Sequence, residues 1–330
     1  MDRIGIVGAG AWGTALAATV RRAGRDTVLW AHEPEVAEAI RNSGRNTVYL
    51  PDVALDPAIA STSDHARVCD ADAVLLVAPA QHLRAVCRAL APHWKAGVPA
   101  VICAKGIELA TCAMMSDAVA AELPDAPIAV LSGPTFAIEV ARGLPTAVTL
   151  ACADSVLGQR LVEAIGTATF RPYLTDDLVG AEMGGAIKNV LAIGCGIVEG
   201  RGLGDNARAA LITRGLVELM RLAIAKGGRA ETLMGLSGLG DLILTASSTQ
   251  SRNYSLGLAL GQGRPLADIL GERRSVTEGV YTAGAVMDMA GRLGVDMPLC
   301  AAVDAVINRG ADLDATIAGL LSRPFKSEGI

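Results

Sequence analysis

Ile4-Gly5-Ile6-Val7 runs directly into Gly8-Ala9-Gly10-Ala11-Trp12-Gly13 and then into Thr14-Ala15-Leu16-Ala17-Ala18. No other stretch restricts the fold so strongly. A short apolar run, a GxGxxG turn and a helix-forming segment make a strand, a tight bend and a helix N-terminus. A second strand-like run, Thr27 to Trp30, completes the unit within about 30 residues. Gly8 can make the tight turn, Gly10 lets backbone amides approach a pyrophosphate, and Gly13 lets the helix pack closely on the strand. Phosphates would then rest on the helix N-terminus, where unbonded amides and the dipole favour anions. A glycine-rich turn alone is a weak signal; its flanks turn it into the expectation of a bound dinucleotide.

The chain continues in the same alternation. Apolar runs of strand length at Ala73 to Val77, Val101 to Ala104, Ile128 to Leu131 and Ala147 to Ala151 are separated by longer segments, several with helical spacing (Glu35 to Asn42, Gln81 to Leu90, Met114 to Glu122). Such runs predict parallel strands buried on both faces, hence an α/β, Rossmann-type doubly wound domain. From about Thr175 the strand signals stop, and helical periods cover Leu178 to Glu199, Ala207 to Lys226, Asn253 to Gly261, Gly279 to Leu293 and Leu299 to Arg309. The expected division is a dinucleotide-binding domain over 1–177 and an all-helical substrate and catalytic domain over 178–330. A length of 330 residues accommodates both.

Charge and cysteine usage exclude some classes. A net charge of −5 leaves no electrostatic footprint for nucleic acid or an anionic membrane. Seven cysteines without a CxxC or cysteine-histidine cluster read as reduced core residues of a cytoplasmic protein, and no metal site is expected. Ile4 already begins a strand, so no secretion signal is expected. The apolar stretch Met183 to Val198 carries Lys188 and Asn189 near its middle, which favours a buried helix over a membrane span.

Only five of the 29 basic side chains are lysine. Arginine keeps its proton near neutrality, whereas a desolvated lysine can release it, so a lysine in an apolar setting invites a reason specific to an amine. Lys105 follows a strand at the end where open α/β sheets bind ligands, and Lys188 sits among glycines on an apolar helix. Gly238-Leu239-Gly240-Asp241-Leu242 places a carboxylate in an apolar surround, for which a buried lysine is the natural partner. Ser251-Arg252-Asn253, opening a helical run, is equipped to hold a phosphate. At the end of the second strand, Trp30-Ala31-His32-Glu33-Pro34 leaves NAD and NADP both open: His32 suits either, and Arg41 or Arg45 could reach a 2′-phosphate.

Gly8-Ala9-Gly10-Ala11-Trp12-Gly13, Lys105-Gly106, Ser132-Gly133-Pro134-Thr135-Phe136-Ala137, Gly185-Ala186-Ile187-Lys188-Asn189-Val190, Gly238-Leu239-Gly240-Asp241 and Gln250-Ser251-Arg252-Asn253 occur in that order over nearly the whole chain. Together they resemble bacterial NAD(P)-dependent glycerol-3-phosphate dehydrogenases. The glycine loop is shared by many dehydrogenases; the Lys-Asn, Gly-Leu-Gly-Asp and Ser-Arg-Asn set is much more specific. The resemblance implies reduction of dihydroxyacetone phosphate to sn-glycerol 3-phosphate for glycerophospholipid synthesis, with NAD or NADP as cofactor and a homodimer as the expected assembly.

By position, the resemblance implies Lys188 as the acid/base residue, with Lys105 and Asp241 flanking the same oxygen or orienting the substrate. It implies substrate contacts from Lys105, Gly133, Thr135, Lys188, Asn189, Asp241, Thr245, Ser251, Arg252 and Asn253. Cofactor contacts would come from Gly8, Gly10, Ala11, Trp12, Gly13, His32, Lys105, Ala137, Arg252, Val276 and Glu278. Ala11 stands where the family often has serine, so only backbone contacts are expected there. Two rival readings remain: another dehydrogenase of the same architecture acting on a hydroxyacyl or sugar-acid substrate, and a cofactor-binding regulator without chemistry. The first has no use for Ser251-Arg252-Asn253 beside Asp241, and the second no use for a proton donor.

Overall fold

The computed structural model describes residues 1–272 and 277–325. Its residues fall into two compact units, one formed by Met1–Ala104 with Met115–Leu178, the other by Lys105–Met114 with the chain from Val179 onward. The expected single cut after residue 177 therefore needs a correction. The excursion after Ala104 belongs to the second unit because Ile107, Cys112 and Met114 are buried in the helical core.

The first unit is an eight-stranded sheet: β1 Arg3–Val7, β2 Asp26–Trp30, β3 Ala60–Thr62, β4 Ala73–Leu76, β5 Ala100–Ile102, β6 Ile128–Ser132, β7 Thr146–Cys152 and β8 Phe170–Thr175. They lie side by side as β3-β2-β1-β4-β5-β6-β7-β8. Strand order reverses between β1 and β4, and the crevice beyond the carboxyl ends of those two strands is where a doubly wound sheet receives its ligand. Ile4, Ile6, Leu29, Leu75, Val101, Leu131 and Leu150 are fully or almost fully buried, as two-sided packing of strands requires.

Three features of the sheet depart from expectation, of which one is a strand direction. β7 runs antiparallel to β6, with Ser132 opposite Thr149 and Ala129 opposite Cys152. An apolar run reports burial and carries no information about strand direction. β3 has three residues and closes one edge, too short to give a periodic signal. β8, at the other edge, contains Pro172 and exposes Tyr173, a composition that reads as loop until an edge strand needs it.

The second unit is helical. Its axis is Leu178–Gly200, surrounded by Asp205–Ala225, Asp241–Ala246, Arg252–Gly261, Glu278–Leu293 and Pro298–Asn308, with Leu313–Leu321 closing the series. The axial helix is long and apolar enough to cross a membrane, yet its apolar window is wholly buried inside the protein. Six glycines in it forgo helix propensity at about 1 kcal/mol each relative to alanine. What they permit is backbone-to-backbone packing: a Cβ at Gly196 would lie 2.1 Å from the Tyr254 carbonyl oxygen. All seven cysteines are buried and form no disulfide, as core thiols.

Candidate active site

In the first unit, the glycine loop follows β1 and opens the helix Ala11–Arg22. Gly8 has φ 116°, accessible only to glycine at low energy, and a Cβ on Gly13 would fall 1.8 Å from the Gly8 carbonyl oxygen. A Cβ on Gly10 would meet nothing within 4 Å, so the loop is open on the side a ligand would approach. The helix has no side-chain cap and no acid in its first turn, which leaves the first-turn N–H groups without an intrahelical acceptor. Trp12 Nε1 and Ser132 Oγ are buried and unbonded among the described residues. These observations fit a bound dinucleotide.

One residue that sequence reasoning missed holds this loop. Asn46 is fully buried, and its Nδ2 donates to the Ala9 carbonyl at 2.7 Å and to Thr14 Oγ1 at 2.8 Å. Its Oδ1 accepts from the Tyr49 amide at 3.0 Å, so the side chain is anchored at both ends. Asn46 stands far from the motif in an irregular segment, where an asparagine ordinarily marks a turn; nothing in the sequence distinguishes it.

At the end of β2, His32 is exposed and its ring lies 6.0 Å from that of Trp30. Glu33 accepts from Tyr49 Oη at 3.0 Å, Arg41 donates to the Ser61 carbonyl at 3.0 Å, and Arg45 donates to the Pro51 carbonyl at 3.0 Å. Gly133 and Thr135 follow β6, and Thr135 Oγ1 donates to the Gly133 carbonyl at 3.3 Å. Ala137 opens the short helix Ala137–Ala141, whose carboxyl end receives two hydrogen bonds from Arg22.

The second unit gathers the two singular lysines around one acid. Asp241 is fully buried; its Oδ2 accepts from Lys105 Nζ at 2.6 Å and its Oδ1 from Lys188 Nζ. Lys188 also donates to Thr245 Oγ1 at 2.9 Å, and the third N–H of its ammonium has no acceptor among the described residues. Each side chain comes from a different element. Lys188 is midway along the axial helix, Asp241 and Thr245 lie one turn apart on Asp241–Ala246, and Lys105 begins the excursion 105–114, closed by the Ile107–Met114 bridge.

Two ammonium groups facing one carboxylate cannot both be balanced. Burial pushes the Lys188 ammonium down to about 7, against the attraction of Asp241 and with the help of the Lys105 charge. Lys188 can therefore give up or take a proton near neutrality, which an exposed lysine does not do.

Asn189 and Asn253 form a second buried pair. Asn253 Nδ2 donates to Asn189 Oδ1 at 2.9 Å, and Asn253 Oδ1 accepts from the Gly279 amide at 3.0 Å. Asn253 thus ties the axial helix to the start of Glu278–Leu293, which places Glu278 beside it in the chain. Ser251 caps Arg252–Gly261 by accepting from the Tyr254 amide at 3.2 Å, and Arg252 extends from the first position of that helix, exposed. Val276 lies outside the described residues.

Two family profiles cover most of the chain: "NAD-dependent glycerol-3-phosphate dehydrogenase N-terminus" matches residues 3–157, and "NAD-dependent glycerol-3-phosphate dehydrogenase C-terminus" matches residues 177–318. A protein from Paramagnetospirillum magneticum named glycerol-3-phosphate dehydrogenase [NAD(P)+] is 76% identical over 255 residues, 77% of this chain and 93% of the relative. One of the same name from Rhodospirillum rubrum is 61% identical over 330 residues, 100% of this chain and 95% of the relative. The crystal structure of glycerol-3-phosphate dehydrogenase from Coxiella burnetii superposes with a TM-score of 0.93 at 38% identity, covering 98% of this chain and 99% of that one.

Proposed function

The chain belongs to the NAD-dependent glycerol-3-phosphate dehydrogenase family, and from that premise we propose that Lys188 is its acid/base residue, acting on the C2 oxygen of the substrate beside Lys105 and Asp241. The protein is an NAD(P)-dependent glycerol-3-phosphate dehydrogenase, an oxidoreductase that interconverts dihydroxyacetone phosphate and sn-glycerol 3-phosphate. Both rival readings, the hydroxyacyl or sugar-acid dehydrogenase and the silent cofactor sensor, lapse with that membership.

The observation that carries the role of Lys188 is its placement: a buried amine paired with a buried carboxylate, with one N–H donor unused among the described residues. When bound, the reduced nicotinamide supplies a hydride, which adds to C2 and leaves negative charge on the carbonyl oxygen. Lys188 answers that charge by donating a proton from Nζ to the oxygen, giving the alcohol and leaving the amine neutral. In the reverse direction the neutral amine takes the proton from the C2 hydroxyl. Asp241 holds the amine in place, and Lys105 adds a second positive charge on the same carboxylate. Arg252 and the capped start of its helix supply the charge to hold the phosphate of the substrate, whose binding energy orients the carbonyl.

On the cofactor side, the reading gives the pyrophosphate to the backbone of Gly8 to Gly13 and the adenosine end to His32. Ala137, Arg252, Val276 and Glu278 are the further cofactor contacts; Gly133, Thr135, Asn189, Thr245, Ser251 and Asn253 are the substrate contacts. A homodimer in the cytoplasm belongs to the same reading, supported by the exposed Leu203, Leu321 and Phe325 along one apolar groove of the helical unit.

The direct test is the fall in reduced-nicotinamide absorbance when purified protein meets dihydroxyacetone phosphate with NADH or with NADPH. Consumption with at least one coenzyme is expected. No consumption with either would overturn the activity.

A further inference from the structure

The Lys188–Asp241 pair stands one helical turn beyond a place where two backbones touch. Gly184 precedes Lys188 by four residues on the axial helix, and Ser237 precedes Asp241 by four residues on the facing segment. At this crossing a Cβ on Gly184 would lie 2.3 Å from the Ser237 carbonyl oxygen and 2.8 Å from its carbonyl carbon. Residues at i and i+4 share a face of an α-helix, so Gly184 and Lys188 lie along the same side of the axial helix.

The facing segment is not an ordinary helix. Leu236–Gly240 is a π turn, with the Gly240 amide donating to the Gly235 carbonyl at 3.1 Å, and it runs straight into Asp241–Ala246. Such a turn carries one residue more than an α turn, so every side chain after it is rotated by about 100° relative to an uninterrupted helix. Asp241 is the first residue to inherit that rotation. The turn has little room to adjust, since a Cβ on Gly238 would fall 2.0 Å from the Leu233 carbonyl oxygen, and Ser237 is fully buried.

We infer that Gly184 is a positioning residue of the proton-transfer site: its bare backbone lets the axial helix rest against the π turn, and that contact fixes where Asp241 stands relative to Lys188. The inference rests on the reading of Lys188 as the proton donor. Gly184 acts through the distance between two groups that do the chemistry.

Gly200 supplies a matched control. It lies at the far end of the same helix, and its added Cβ would also come 2.3 Å from a backbone oxygen, that of Leu258. Gly184→Ala must open its crossing by about 1 Å to restore ordinary contact, a misplacement that can cost about a hundredfold in rate. Gly200→Ala meets the same steric demand away from the pair.

The experiment measures kcat, KM and the pH profile of dihydroxyacetone phosphate reduction, together with Tm and the coenzyme Kd, for Gly184→Ala, Gly200→Ala and Lys188→Ala. Both glycine variants should lose Tm. Only Gly184→Ala should lose kcat, by about 10- to 100-fold, with the coenzyme Kd unchanged. Its pH midpoint should also fall, because Lys188 is faced by Asp241, Thr245 and Lys105, and moving Asp241 away removes the negative charge that favours the charged amine.

Wild-type kcat and midpoint in Gly184→Ala, with Lys188→Ala inactive, would overturn this inference and leave the role of Lys188 standing. Equal effects from the two glycine variants would also overturn it. Turnover in Lys188→Ala would instead remove the reading beneath it. If Gly184→Ala does not fold, deletion of Leu239, which turns the π turn into an α turn, should abolish turnover with coenzyme binding retained; normal turnover there rejects the inference equally.

Discussion

Lys188 is subject to opposed influences, and their balance sets a pH dependence with opposite signs in the two directions. Burial and the Lys105 charge lower its affinity for a proton, Asp241 raises it, and the result lies near 7. Reduction needs the charged amine, so its rate should fall as pH rises through about 7. Oxidation of glycerol 3-phosphate needs the neutral amine and should rise through the same range. Lys188→Ala should lose about a hundredfold or more of kcat in both directions and flatten both profiles, while coenzyme affinity stays near wild type. Profiles that keep their midpoint in the variant would assign the titration to another group. Asn46 permits a separate test on the other unit. Asn46→Ala leaves the Ala9 carbonyl beneath the glycine loop with only the longer bond from Thr14 Oγ1 at 3.4 Å, and a lost buried hydrogen bond of about 1–2 kcal/mol corresponds to roughly 5- to 30-fold weaker coenzyme binding if the loop relaxes. Fluorescence titration with NADPH reads this directly; an unchanged Kd alongside a lowered Tm would confine Asn46 to a structural role.

Among the elements, the helix Pro298–Asn308 depends on a residue outside itself. Glu218 is buried on Asp205–Ala225, and its carboxylate accepts from the Leu299 amide at 2.7 Å and the Cys300 amide at 3.1 Å, capping that helix. Burial pushes the carboxyl up to about 7, with the two amides pulling the other way. A carboxyl whose folded value lies above its unfolded value of 4.5 favours folding in its neutral form. Its contribution is therefore complete below 4.5 and is lost as pH rises to about 7, on the order of 2–3 kcal/mol across the window. Glu218→Gln keeps an acceptor and cannot ionise. Chemical denaturation at pH 5 and pH 8 should show wild type losing stability relative to the variant as pH rises, and parallel curves would disprove the assignment. Helix boundaries of this kind were partly legible beforehand. The long helices stand close to where their periodicity places them, whereas Leu266–Gly271 and the π turn were not expected, because four to six residues give no period and a π turn has no residue signature.

At the scale of the whole molecule, the homodimer is tested by mass. Light scattering behind size exclusion should report about twice the 33.8 kDa of one chain, and Leu321→Lys, at a position 82% exposed in the apolar groove, should shift the population toward single chains with the Lys188–Asp241 site undisturbed. A single-chain mass at micromolar concentration in wild type would end that part of the reading. The glycine loop, the helical second half and the singular status of Lys105 and Lys188 all follow from the order of residues, because strand and helix periods, turn chemistry and an amine in an apolar run are local properties. The assignment of 105–114 to the helical unit, the reversed direction of β7, the Asn46 clamp and the convergence of Lys105, Lys188 and Thr245 on Asp241 were decided only by tertiary structure. Each depends on which distant segment a residue meets, and the proton affinity of Lys188 depends on it most, since desolvation and a neighbour's charge exist only once the chain has folded around them.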